Sequence, residues 1–214
     1  KYDDCGELAA GSVHRSLTYK QGLIYPETIS AAHQQDARLR LRMAIISDGS
    51  NDSVVISDVA ALPTISVASK RYTMGPIELN NKAIDDSMNL SINFGNNVEG
   101  GGSDSDIYDT WIENREHSPT VEVTTKKPDL FSASNIPLGG SSVLQANDSV
   151  FLRKRTQDGS HYVADGTAEH IKFSLGGVAT HKTLASNDAT RTAEHSLMVE
   201  LAKDSSGNNP IIYA

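Results

Sequence analysis

The sequence predicts an all-β protein: an antiparallel β-sandwich or barrel with one short flanking α-helix and long polar loops. Apolar residues recur with a period of two in short runs, as half-buried strands require. Asp-Gly and Asn-rich punctuation separates those runs, and such residues tolerate the positive φ of tight turns. Across 214 residues there are 16 glycines and only 6% aromatics, and the hydrophobic content of 38% is low for a compact enzyme but sufficient for a β-sandwich or barrel with wet faces. At least eight strand candidates at short spacing point to a sandwich or barrel. The expected layout is a loosely ordered segment over 1–13 and a single β-rich domain over 14–214.

In chain order, Leu17 to Ile24 reads as a first strand closed by Tyr25-Pro26. Ala37 to Ile46 places Leu39, Leu41, Met43 and Ile45 on one face and Arg38, Arg40 and Arg42 on the other. Asp48-Gly49 then turns the chain into Ser53–Ile56, expected to return as the partner strand. Arg71–Leu79 and Ala83–Phe94 read as another antiparallel pair joined by Asn80-Asn81, with Met88, Leu90, Ile92 and Phe94 inward. Gly95 breaks the strand, and Gly100-Gly101-Gly102 marks a flexible loop. Ile107, Tyr108, Trp111 and Ile112 fall at i, i+1, i+4 and i+5, predicting a short helix over 106–116, with Ser105 or Asp106 as N-cap. Pro119 ends it, and Thr120–Thr124 returns to strand.

Pro128–Gly140 reads as a long loop and Ser149–Arg155 as a strand. Asp158-Gly159 and Asp165-Gly166 turn the chain on either side of His161–Val163. Ile171–Leu175 alternates cleanly, 176–194 is polar loop, and His195–Leu201 directs Leu197, Val199 and Leu201 inward. The segments 39–56 and 197–213 share one plan of strand, polar turn and strand. Common hairpin turn chemistry accounts for that, and the alternative is pairing of the two across a symmetric interface or a duplicated half.

No catalytic constellation emerges. Asp104, Asp106 and Asp109 follow the triple glycine, but a calcium loop counted from Asp104 would need glycine where Asp109 stands and glutamate where Arg115 stands. They read instead as a negatively charged helix start. His161, His170, His181 and His195 lack metal-ligand spacing on a helix. A nucleophile elbow and a phosphate-cradling loop are both missing. The expectation is a non-enzyme with no cofactor and no metal. Cys5, the one cysteine, excludes an intrachain disulfide and leaves a free thiol or an intermolecular bridge. A net charge of −8 and a pI near 5.3 argue against general nucleic-acid binding. No run approaches the length of a membrane span, so no membrane partner is expected. The chain starts at Lys1 rather than methionine, which is compatible with a leader or propeptide removed ahead of it.

Arginine rows are the surface feature with weight. Arg38, Arg40 and Arg42 form one row, and Arg153 and Arg155 form a second. Such rows are usually solvated faces, but arginine also serves interface ion pairs. These five residues are the candidate subunit interface of a homo-oligomer.

Arg71–Ile77, Leu90–Gly95 and Asp106–Tyr108 with Pro119–Thr125 resemble proteins of tailed-phage and prophage morphogenesis modules, in the layout of tail tube subunits. The resemblance covers roughly 20–214. It implies a β-sandwich or barrel with one flanking helix, stacked as rings into a hollow tube in the virion, alongside other virion proteins. It also implies a largely acidic lumen through which DNA passes as non-specific cargo, and no catalytic residues. Pro128–Gly140 and Gly176–Glu194 have no counterpart in that layout, leaving a capsid decoration protein as an alternative. A secreted β-sandwich module binding carbohydrate or cell surfaces is a second class, and a hydrolase with a dispersed site a third.

Overall fold

The computed structural model describes residues 14–59, 71–79, 81–84, 86–126, 141–143, 148–154, 170–176, 178–187, 194–202 and 211–213. Its elements are β1 (His14–Tyr19), β2 (Gln21–Ala32), β3 (Arg38–Ile46), β4 (Val54–Val59), β5 (Tyr72–Leu79), β6 (Lys82–Ala83), β7 (Ser87–Asn93) and β8 (Asn96–Gly101), followed by β9 (Trp111–His117), β10 (Thr120–Thr125), β11 (Ser141–Val143), β12 (Ser149–Lys154), β13 (His170–Leu175), β14 (Val178–Asn187), β15 (Glu194–Ala202) and β16 (Ile211–Tyr213). The all-β class is therefore observed. Sheet order is β11-β14-β15-β10-β7-β2-β3 in a seven-stranded sheet and β16-β13-β12-β5-β6 in a five-stranded one, with β1-β4 and β8-β9 as two-stranded ribbons.

By contacts the chain forms two compact units. The smaller comprises Lys1–Ile24, Met43–Ala68 and Val98–Arg115, and the larger Tyr25–Arg42, Ser69–Asn97 and Glu116–Ala214.

The larger unit holds the core. On the seven-stranded side, Ile29, Leu90, Ile92, Val121, Val123 and Leu197 point inward. They join Ile77, Leu79, Val150, Leu152, Phe173 and Leu175 of the five-stranded side in one buried cluster. The alternation read from the sequence selects these faces, and each buried aliphatic contributes about 1.5–3 kcal/mol by leaving water. Val121 pairs with both Ile92 and Val199, and Val123 with both Leu90 and Leu197, so three strands present aligned apolar rows. Pro76 sits inside a sheet because the β5–β12 register shifts there. Ile77 lies opposite Val150 and Met74 opposite Leu152, leaving Gly75-Pro76 across from Phe151 alone. A proline is tolerated at such a bulge because no ladder donor is required of it.

Several expectations are corrected. No helix occurs among the described residues, and 111–117 is strand β9. Gly100 and Gly101 belong to strand β8 rather than a loop. A Cβ on Gly101 would collide with the Trp111 ring, so the bare glycine backbone makes room for the indole. Asp106 caps no helix: its carboxylate accepts from the backbone of the earlier Ser103 (2.7 Å) and from the Thr110 hydroxyl (3.2 Å), closing a turn. The expected first strand is two: β1 ends at Tyr19, and β2 runs on through Pro26.

Ser53–Ile56 does not return beside 38–46, because β4 pairs with β1 while β3 lies next to β2. In the same way β15 pairs with β10 and β14, and β16 pairs with β13 in the other sheet. The two look-alike segments are thus strands that change sheet, not hairpins. Ala83–Phe94 divides into β6, which pairs with β5, and β7, which joins the other sheet. Within 176–194, expected to be loop, Val178–Asn187 is a strand paired with β15. The expectations for 1–13, 128–140 and 158–166 lie outside the described residues.

Candidate functional site

The arginine row sits on β3, where Arg40 and Arg42 converge on one carboxylate of β2. Arg40 Nε lies 2.7 Å from Glu27 Oε2, and Arg42 Nη2 lies 2.5 Å from Oε1. The first is a close ion pair without hydrogen-bond alignment, leaving Oε2 buried and unbonded. The second is a hydrogen bond that raises the Arg42 pKa above its ordinary value. Glu27 is mostly covered while both guanidiniums stay exposed, so this cluster first of all ties β2 to β3. Arg38, also exposed, has no ion-pair partner among the described residues. Arg153 is half-buried on β12 in the other sheet, beside Gly75. The structure therefore does not bring Arg153 into the Arg38 row, and Arg155 lies outside the described residues.

The opposite face of β3 is apolar and unburied. Leu39 and Leu41 are 57% and 54% exposed. They line a groove of about 520 Å³ whose floor is made by the core residues Ile29, Phe94, Leu152 and Phe173. Arg38 is the one charged residue lining it. The floor residues are themselves buried, so what this edge leaves in water is chiefly Leu39 and Leu41.

In the smaller unit, Ile46 is the one buried apolar side chain among the described residues. On the β1–β4 ribbon, Leu17 faces Ile56, Tyr19 faces Val54 and Arg15 faces Asp58. Directly opposed residues of antiparallel strands share a face, so four exposed apolar side chains stand together beside an Arg15–Asp58 pair at 3.6 Å. Leu23, Ile24 and Met43 are exposed as well, as are Ile107, Tyr108 and Trp111. Sequence reasoning recognised the alternation at 39–45 but not that it faces water; a surplus of apolar strand positions over what one core can cover is the signal that marks it.

Polar clusters in this unit stabilise turns. Asp48 accepts from the amides of Ser50 (2.9 Å) and Asn51 (2.8 Å) and from the Asn51 side chain (2.9 Å). Those bonds, the Asn51 side chain first, hold its carboxyl below the usual aspartate value. Backbone and hydroxyl donors of Ser103 do the same for Asp106, and the Asp52 carboxylate raises the Tyr108 phenol. Among the described residues no three His, Cys, Asp or Glu side chains are grouped to hold a metal, and no helix is long and apolar enough to cross a membrane. His170 stacks edge-to-face on Phe151, with ring centroids 5.3 Å apart.

No family model, curated protein or solved structure matches this chain.

Proposed function

We propose that this protein is a non-enzymatic, self-assembling structural subunit of a virion, of the tail tube kind, which forms stacked rings around a DNA channel. The observation that carries the reading is the apolar surface left in water: the Leu17, Tyr19, Val54 and Ile56 face, and the groove below Leu39 and Leu41. A soluble monomer rarely exposes contiguous apolar patches beyond a few hundred Å², and burial in an assembly returns about 25 cal/mol per Å². Among the described residues, Asp48 and Asp106 close turns and Glu27 ties β2 to β3, arrangements that suit a scaffold. An overall charge of −8 suits a channel past which DNA slides without adhering.

Negative-stain microscopy and light scattering across protein concentration test this reading. Rings or tubes with a central channel are expected; a persistent monomer overturns it. Capsid decoration is the outcome if the protein instead adds to preformed shells. Glycan binding by a monomer, through the exposed Trp111 and Tyr108, would identify a carbohydrate-binding module.

A further inference from the structure

The charge of the chain is distributed unevenly between its two units. The smaller carries eleven acidic against four basic residues, a net of −7, and the larger sixteen against fifteen, a net of −1. The near-neutral unit also holds the arginine row, with Arg38 unpaired among the described residues at the lip of the apolar groove. One molecule therefore carries two unlike unsatisfied surfaces. One is an apolar sheet face in a strongly acidic unit; the other is an apolar groove with one arginine, Arg38, at its lip.

We infer that the β1–β4 face of one copy seats in the β3-edge groove of the next, so that the chain associates head to tail. This rests on the self-assembly reading above. Leu17 and Ile56 stand at the middle of the face as a directly opposed pair, and Leu39, Leu41 and Phe94 line the receiving groove. A site for a small polar ligand would present several convergent polar groups. This groove presents one charged group, Arg38, and the Tyr72 phenol among otherwise apolar walls, which fits aliphatic side chains brought in by an acidic partner. Charge complementarity sets the pairing: two acidic units repel, whereas an acidic unit approaching Arg38 at the groove lip is attracted. Because the two surfaces differ, the contact is heterologous. It generates a ring where the rotation closes and a filament where it does not.

The test uses two double variants, Leu17→Glu/Ile56→Glu in the face and Leu39→Glu/Leu41→Glu in the groove. All four side chains are more than half exposed, so each variant keeps its sheet, checked by circular dichroism. Each alone is expected to raise the concentration at which assembly begins by at least about tenfold. Mixed one to one, they are expected to form a dimer and stop, because one intact face meets one intact groove. Assembly of either variant like the wild type overturns the pairing, as does a mixture that stays monomeric.

Cross-linking provides a second readout that needs no disruptive charge. On a Cys5→Ser background, chains with Ile56→Cys and chains with Leu41→Cys are mixed and oxidised. A disulfide between unlike chains is expected; one formed by Ile56→Cys chains alone, or none in assembled material, overturns the inference. A lipid or apolar ligand found in the groove by native mass spectrometry overturns the pairing but leaves self-assembly standing. A wild-type chain that never assembles overturns both.

Discussion

Leu17 on β1 lies directly opposite Ile56 on β4, and the two side chains are 55% and 64% exposed. By contrast, Val123 lies opposite Leu197 in the larger unit and both are about 1% exposed. The same kind of cross-strand pair is thus buried in one unit and left in water in the other.

That contrast separates stability from assembly. Leu197→Ala is expected to destabilise the monomer by about 2–5 kcal/mol, because it leaves a cavity in a packed core. Leu17→Ser is expected to change monomer stability by less than about 0.5 kcal/mol while weakening self-association. Urea unfolding of dilute protein, set beside light scattering of concentrated protein, checks both. A large stability loss for Leu17→Ser would contradict the open face.

Gly95 adopts φ +57°, and a Cβ there would collide with the Ser118 carbonyl. The positive φ alone disfavours other residues, and the collision adds to it. Gly95→Ala is expected to cost about 1–3 kcal/mol, read as a shift in the denaturation midpoint. A cost below about 0.5 kcal/mol would mean that the backbone here relaxes freely.

The carboxylate of Asp148 is fully buried, and its Oδ1 accepts the amide of Asn81 (2.9 Å), itself at φ +56°. It holds the turn after β5 against the start of β12. Asp148→Ala leaves that donor without its partner, for an expected cost of about 1–3 kcal/mol. Hydrogen exchange is expected to quicken at Asn81 more than at Val121; uniform quickening would argue against a local role.

Acid is expected to loosen two turns before the sheets. The carboxyls of Asp48 and Asp106 are depressed by hydrogen bonds made in the folded chain. A group whose folded pKa is lowered contributes stability above its ordinary value, and that contribution is lost as pH falls through the folded one. The amides of Ser50, Asn51 and Ser103 should therefore lose exchange protection only below the usual aspartate range. Asp48→Asn should remove this pH dependence at Ser50 and Asn51 and leave Ser103 unchanged. Loss of protection near neutral pH would refute the assignment.

Trp111, the one tryptophan, reports on the β8–β9 ribbon. Gly101→Ala places a methyl where its ring lies, and the exposed indole can swing outward. A red-shifted emission with little loss of stability is expected; unchanged emission would mean that the ring does not lie against Gly101.

The sequence by itself determined the all-β class and the strands whose two faces differ sharply. Leu90 and Ile92, Val121 and Val123, and Leu197 to Leu201 alternate so plainly that only one face of each can be the core. It also determined the turns at Asp48-Gly49 and beyond Leu79, because few residues accept those backbone angles. Tertiary structure decided which strand lies beside which. β4 leaves β3 for β1 and β16 leaves β15 for β13, because sheet pairing is between chain-distant edges that local patterning does not encode. It overrode the helical spacing of Ile107, Tyr108, Trp111 and Ile112 because strand pairing of β9 with glycine-bearing β8 satisfies the backbone instead. It also decided that Leu39 and Leu41 face water: an alternating strand specifies that one face is apolar, and only the packing of the rest of the chain determines whether anything covers it.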